Sequence, residues 1–204
     1  MSVLRTLSLI GVLIAMSAPS SIAQSSAGGP ARIVLGGGCF WCLEAVYEEV
    51  RGVSEAVSGY SGGSLANPSY KQVITGRTGH AEVVEIHYDP AVVPLDTLLD
   101  VYFSIHDPTT VDRQGNDVGP QYRSIAFYSN EGEKKAIEAA IERTAASGEY
   151  RGRIVTQVEP LVAFYPAEDY HQQYYELNGE QPYCSLVIAP KIAKFRKRFA
   201  ALLK

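Results

Sequence analysis

The chain has 204 residues, with 18 Lys and Arg against 22 Asp and Glu and a formal net charge of −4. It lacks the basic surplus by which a protein holds nucleic acid, so no nucleic-acid partner is expected. Three cysteines are an odd number, too few for a disulfide framework, and at least one thiol must be unpaired or exchanged in a reaction.

The first 23 residues have the form of a secretory signal peptide. Arg5 is the positive flank, Leu7-Ser8-Leu9-Ile10-Gly11-Val12-Leu13-Ile14-Ala15-Met16 the apolar stretch, and Ser21-Ile22-Ala23 a small-x-small cleavage site. The apolar stretch is too short for a stable transmembrane span. Cleavage implies a periplasmic or secreted protein with no stable membrane insertion, whereas an uncleaved segment would be a membrane anchor. Residues 24–30 read as a flexible leader, and residues 31–204 as one domain with a sizeable core. Disulfides persist outside the cytoplasm, so reducing chemistry there needs an external electron source.

Residues 32–35, Arg32-Ile33-Val34-Leu35, read as a buried strand, and a helical pattern runs through Ala45-Val46-Tyr47-Glu48-Glu49-Val50. Between them lies Gly36-Gly37-Gly38-Cys39-Phe40-Trp41-Cys42-Leu43-Glu44. This strand, glycine loop and helix start put Cys39 at a helix N-terminus, where free backbone N–H groups and the helix dipole favour the thiolate. Phe40 and Trp41 can form an apolar wall for a substrate group. Cys-x-x-Cys at such a turn is a redox signature. A buried structural cysteine, a structural disulfide and a phosphate-binding loop are the competing readings, the last weakened because no Gly-Lys-Ser/Thr follows.

Further on, residues 53–59 read as a strand, 60–69 as a long loop rich in turn formers, and 71–75 and 81–88 as strands. In the last of these Val84, Ile86 and Tyr88 alternate with Glu85 and His87, the period of a half-buried strand, with Glu82 just before. Pro94 opens a helix with Leu95, Leu98, Leu99, Tyr102 and Phe103 on one face, ending near His106. Residues 112–120 form a polar loop, 123–128 a strand, 131–146 an amphipathic helix stopped by Gly148, and 154–158 the last strand. Residues 167–177 read as a short helix and 178–182 as a mobile loop leading to Cys184. The basic stretch 191–199 reads as a terminal helix packed by Ile192, Phe195 and Phe199. Strands and helices mix without strict alternation, which predicts an α+β fold with helices packed on one mixed sheet.

A cysteine nucleophile needs an acid and hydrogen-bond donors nearby. Glu82, Asp117, Tyr70 and Tyr122 are candidates, each on or beside a Gly-containing turn, although each could equally be a solvated surface group. The motifs Gly38-Cys39-Phe40-Trp41, Ser58-Gly59-Tyr60-Ser61-Gly62-Gly63, Asn67-Pro68-Ser69-Tyr70, Thr78-Gly79-His80-Ala81-Glu82, His106-Asp107-Pro108-Thr109, Gln114-Gly115-Asn116-Asp117, Gln121-Tyr122-Arg123-Ser124 and Ala167-Glu168-Asp169-Tyr170-His171-Gln172 follow in this order. Together they closely resemble the type A peptide methionine sulfoxide reductases, from about Arg32 to the C-terminus.

The resemblance implies a compact α+β domain with a ferredoxin-like sandwich at its centre. It implies that Cys39 attacks the sulfur of an S-configured methionine sulfoxide, free or in an oxidised protein, while Glu82 protonates the oxygen and Tyr70 and Tyr122 hydrogen-bond it. Phe40 and Trp41 would hold the methyl group, and Asp117 would support the polar network. Cys39 is then left as a sulfenic acid, which a second thiol converts to a disulfide for a thioredoxin-like partner to reduce. Family members often place the resolving cysteine near the C-terminus, so Cys184 is the expected trap, with Cys42 as alternate trap or relay. No metal or organic cofactor is implied, only an external thiol reductant, and a monomer is expected. A disulfide oxidoreductase using Cys39 and Cys42, or a zinc module using His80 or His171, is the alternative. The second is disfavoured because structural zinc takes four ligands, commonly from paired knuckles.

Overall fold

The computed structural model describes residues 29–204, so the signal peptide expected at 1–23 and residues 24–28 of the expected leader lie outside the described residues. Strand β1 (Ala31–Gly36) runs into the glycine turn and helix α1 (Phe40–Tyr47), and β2 (Val53–Ser61) follows. Next come a short helix α2 (Tyr70–Val73), strand β3 (Ala81–Tyr88) and helix α3 (Leu95–Ile105). A two-strand hairpin, β4 (Arg113–Gln114) and β5 (Asp117–Val118), precedes β6 (Ile125–Tyr128) and α4 (Glu131–Ala146). Strands β7 (Gln157–Pro160) and β8 (Phe164–Pro166) lead to helices α5 (Tyr174–Asn178) and α6 (Ala189–Arg198).

The fold is α+β on one mixed sheet, as the element pattern predicts. Its six strands are ordered β7-β6-β1-β3-β2-β8, with β6 and β7 parallel and the other pairs antiparallel. One face carries the helices, and its core joins Val84, Ile86 and Tyr88 of β3 to Phe40, Leu43 and Val46 of α1 and to Leu98, Leu99 and Tyr102 of α3. The opposite face has a smaller core of Val34, Ala81, Val83, Ile125 and Phe127 under Leu161 and Phe164. Strand β3 is thus covered on both faces over its first half rather than half-buried throughout. Side-chain alternation places Glu82 on the helix-bearing face with Val84 and Ile86.

Polar anchors fix the glycine turn. Tyr102 OH donates to Gly36 O at 2.7 Å, and His106 lies between Tyr102 O and Ser124 Oγ at 2.7 Å each. A Cβ on Gly37 would stand 2.9 Å from the His106 ring, and Gly38 has φ +95° with Gln114 Cγ 2.6 Å from where its Cβ would be. A side chain at either position would displace the turn. Just past the other end of α1, residues 202–204 return to pair with residues 49–51. Arg51 N donates to Leu202 O, Lys204 N donates to Glu49 O, and Val50 bridges Leu203.

Several local readings are corrected. Residues 71–75 are not a strand: Ser69 and Gln72 form a capping box that starts α2 instead. Tyr60 and Ser61 belong to β2, because they pair with Glu82 and Ala81. The polar loop 112–120 contains the β4–β5 hairpin, turned at Gly115 with φ +57°. The strand read at 154–158 begins only at Gln157, and β8 follows it, a three-residue strand ending in Pro. The helix read over 167–177 is broken at Gln173 (φ +52°) into a 3₁₀ turn (Asp169–His171) and α5. Cys184 does not end a mobile loop: it opens a π-helical turn (Cys184–Ile188) that runs into α6, and it is fully buried.

Candidate active site

Cys39 is the N-cap of α1 with non-helical ψ 128°, so its sulfur stands at the helix start, as the strand–glycine–helix pattern predicts. The next residue's amide, Phe40 N–H, donates to Glu82 Oε2 at 3.2 Å. This bond joins the second residue of β3 to the first turn of α1 and brings the carboxyl to the cysteine. Glu82 is 1% exposed. Burial raises its pKa to about 8, opposed by the Phe40 amide and reinforced by Asp117 and Cys42. The carboxyl is therefore protonated at neutral pH and can donate.

Cys39 and Cys42 are both buried free thiols. A hydrogen bond from Cys39 is the largest cause lowering Cys42 to about 7, against the effect of burial, with Lys191 and Tyr183 adding to it. Burial pushes Cys39 well above the usual thiol range, followed by the bond to Cys42 and the charge of Glu82. The pair therefore releases one proton near neutrality and shares the charge across its hydrogen bond. With Glu82 neutral, its repulsion of a Cys39 thiolate vanishes, and the helix N-terminus favours that charge.

The other sequence candidates converge on the same place. Tyr70, at the start of α2, is raised to about 12 by burial and then by Glu82. Tyr122, in the 3₁₀ turn Pro120–Tyr122, is raised by burial, then Glu82, then Tyr70. Tyr70 is held from behind: Glu168 accepts its backbone N–H at 2.9 Å and Tyr60 OH at 3.0 Å. Asp117 of β5 accepts Tyr183 OH at 2.8 Å and acts by charge on Glu82 and Cys42. Phe40 is buried and Trp41 half-buried. The Trp41 indole stacks on Tyr174 at 3.6 Å and 6°, and the His171 ring lies 5.0 Å from Phe40 and 4.4 Å from Tyr70. The result is an aromatic wall beside a neutral acid, two tyrosines and the hydrogen-bonded Cys39–Cys42 thiol pair. Beyond the cysteines, a groove of about 510 Å³ is lined by Asp117, Tyr183, Leu186 and Lys191.

Sequence reasoning missed Tyr183 and Tyr174. Tyr183 neighbours Cys184 in the chain, and its phenol, raised by burial and then by Cys39 and Cys42, reaches both thiols. Tyr174 has no local signal beyond its aromatic ring. Cys184, raised by burial, is close enough to Cys42 to feel its charge. Among the described residues no group of three His, Cys, Asp or Glu side chains is placed to hold a metal, and no helix is long and apolar enough to cross a membrane.

The family described as peptide methionine sulfoxide reductase matches residues 31–203. The chain is 52% identical over 173 residues to a Chromobacterium violaceum protein named peptide methionine sulfoxide reductase MsrA, covering 85% of this chain and 98% of that one. Its structure is similar to that of reduced Mxr1 from Saccharomyces cerevisiae, with a TM-score of 0.70 and 35% identity, covering 76% of this chain and 89% of the other. It is also similar to Mxr1 in complex with Trx2, with a TM-score of 0.50 and 26% identity over 74% of this chain and 90% of that one.

Proposed function

Because the chain belongs to the type A peptide methionine sulfoxide reductase family and so reduces methionine sulfoxide to methionine, we propose a route for that reaction through the residues gathered at the start of α1. The observation that carries it is a buried carboxyl, neutral to about pH 8, hydrogen-bonded to the first turn of the helix that Cys39 caps.

The Cys39 sulfur attacks the sulfoxide sulfur as its proton passes across the hydrogen bond to Cys42, the more acidic thiol of the pair. As the S–O bond weakens, negative charge builds on oxygen, and Glu82 supplies the proton while Tyr70 and Tyr122 donate hydrogen bonds. Methionine leaves with its sulfur reduced, and Cys39 takes up the oxygen as a sulfenic acid. The methyl group packs on Phe40 and Trp41, which leaves the oxygen of the S epimer facing the acid. Asp117, tied to Tyr183, supports the polar side of the site.

A second thiol displaces water from the sulfenic acid to form a disulfide. The thiol contact supports Cys42 as the first trap. Cys39 lies outside the regular helix, so its Cβ is not held at the spacing of helix neighbours, which is too wide for a disulfide. Cys184, buried behind Cys42, is the next thiol in line, an order that reverses the expectation from the sequence. A thioredoxin-like protein then returns two electrons, as the Mxr1–Trx2 complex suggests by analogy. The proposal includes residues 1–23 as an export signal, 24–30 as a leader, and a monomeric catalytic domain over 31–204 in the periplasm or outside the cell.

The test mixes enzyme with one equivalent of each resolved sulfoxide epimer without reductant. The S epimer should give one methionine and the loss of two thiols, and the R epimer neither. Equal consumption of both epimers, or methionine formed by a Cys39→Ser variant, would refute the route.

A further inference from the structure

Glu44 has no part in the chemistry above. It lies three residues after Trp41 on α1, hence on the same side of the helix, and is 1% exposed. Among the described residues no Lys or Arg pairs with it, and its Oε1 and the neighbouring Ser58 Oγ make no hydrogen bond of normal geometry. A carboxyl buried without a counter-charge is costly to the fold. Burial raises its pKa to about 7, with the amides of Gln173 and Tyr174 and the Ser58 hydroxyl opposing and Glu48 adding to the rise.

Its contacts show what the carboxyl does there. Glu44 Oε2 accepts the backbone N–H of Tyr174 at 3.3 Å, and the Gln173 amide beside it also favours the charged carboxyl. The Tyr174 amide belongs to the first residue of α5, just after Gln173 in the left-handed region. From the other side, Gln172 holds the segment to the sheet. It accepts Ser58 N–H and donates to Ser58 O and Ala167 O, each at 3.0 Å. Between these two ties, the Tyr174 ring lies flat on Trp41, with His171 packed 5.5 Å from the indole.

We propose that Glu44 is a positioning residue for the reaction: by tying the Tyr174 amide to α1 it holds Tyr174 and His171 against Trp41, and so sets the shape of the apolar wall that receives the substrate's methyl group. The inference rests on the reading of Phe40 and Trp41 as that wall. A glutamine could make the same bond, because the accepting oxygen needs position rather than charge. An aspartate keeps the charge but falls short of the amide.

Trp41 is the only tryptophan in the chain, so indole emission reports the wall directly. On the full chain, Glu44→Ala should expose the indole to acrylamide quenching. It should also raise KM for a methionine sulfoxide peptide by about tenfold, the cost of one such bond, with kcat within about twofold. Glu44→Gln should restore both, and Glu48→Gln one turn on should change neither. Glu44→Asp should behave like the alanine variant and carries the test if that variant fails to fold. Unchanged emission and KM in folded Glu44→Ala or Glu44→Asp would overturn the proposal. So would a Glu44→Gln variant as impaired as alanine, or altered emission with KM unmoved. Trp41→Ala tests the wall itself: if it leaves KM unchanged, the reading of the pocket fails whatever Glu44 does.

Discussion

Replacing Glu82 by Gln should remove most of the activity and yet stabilise the protein at alkaline pH. The carboxyl has a pKa of 4.5 when unperturbed and about 8 in the folded protein, with burial the largest cause. Between those values the folded chain holds a proton that the unfolded chain has released. Its contribution to stability is therefore full below about pH 4.5 and is lost as pH rises towards 8. At about 1.4 kcal/mol per pH unit the span amounts to about 5 kcal/mol. This is an upper figure, because Asp117 and the thiol pair share the titration. Glutamine keeps an oxygen for the Phe40 amide and cannot ionise, so the variant should lack the decline. Urea unfolding at pH 5 and pH 8.5, with thiols kept reduced, should show the two proteins close at the lower pH and the variant ahead by several kcal/mol at the higher one. In single turnover the variant should be slower by about 10²–10⁴-fold, the usual range for losing a general acid. The wild-type rate should fall about tenfold per unit above pH 8 as the carboxyl loses its proton. Parallel stability curves, or a wild-type rate flat from pH 7 to 9.5, would show that Glu82 is not a buried neutral acid.

Four further changes probe the surroundings of the thiols. Tyr183→Phe removes the 2.8 Å bond to Asp117 and a donor to Cys42, so the pH at which iodoacetamide half-alkylates the thiol pair should move upward; an unmoved profile would take the phenol out of the thiol's environment. Cys42→Ser should still form the first methionine and should abolish the Cys39–Cys42 peptide in non-reducing mapping. Normal recycling in Cys42→Ser together with its loss in Cys184→Ser would assign the trap to Cys184. Gly38→Ala places a Cβ 2.6 Å from Gln114 Cγ at a left-handed φ; it should cost about 1–3 kcal/mol in urea unfolding and slow turnover further by shifting Cys39, and an unchanged unfolding midpoint would show that the turn adapts.

The parts legible from the sequence are those whose cause is local. Helix α4 reads out because Asn130 caps it, accepting Glu133 N–H, and Gly148 follows its end. Cys39 falls at a helix start because three glycines separate a buried strand from a helical run. Glu82 falls on the right face because it is two residues before Val84 in the same alternation. Where the five-residue run 71–75 had to be assigned by composition, the capping pair Ser69 and Gln72 outweighed the β-propensity of Val73 and Ile74. Gly179 and Pro182 suggested a loose loop before Cys184, but burial of Cys184, Ile188, Ile192 and Phe195 holds that stretch as one helical arm. The stack of Tyr174 on Trp41 joins residues 133 positions apart, and the reach of Tyr183 to Asp117 spans 66. No local pattern encodes contacts of that range.

The return of the chain's end to the segment after α1 has a kinetic consequence. The reactive centre draws on Cys39, Glu82, Asp117, Tyr174 and Tyr183, and the last two arrive on the C-terminal segment, whose residues 202–204 pair with residues 49–51. Contacts of such sequence separation form slowly, because much of the chain's freedom must be lost before they contribute. A chain whose C-terminal segment is undocked would expose thiols that the folded protein buries. Adventitious oxidation of Cys39, Cys42 and Cys184 should therefore be faster during refolding than in the folded protein, as thiol titration along the refolding course would show.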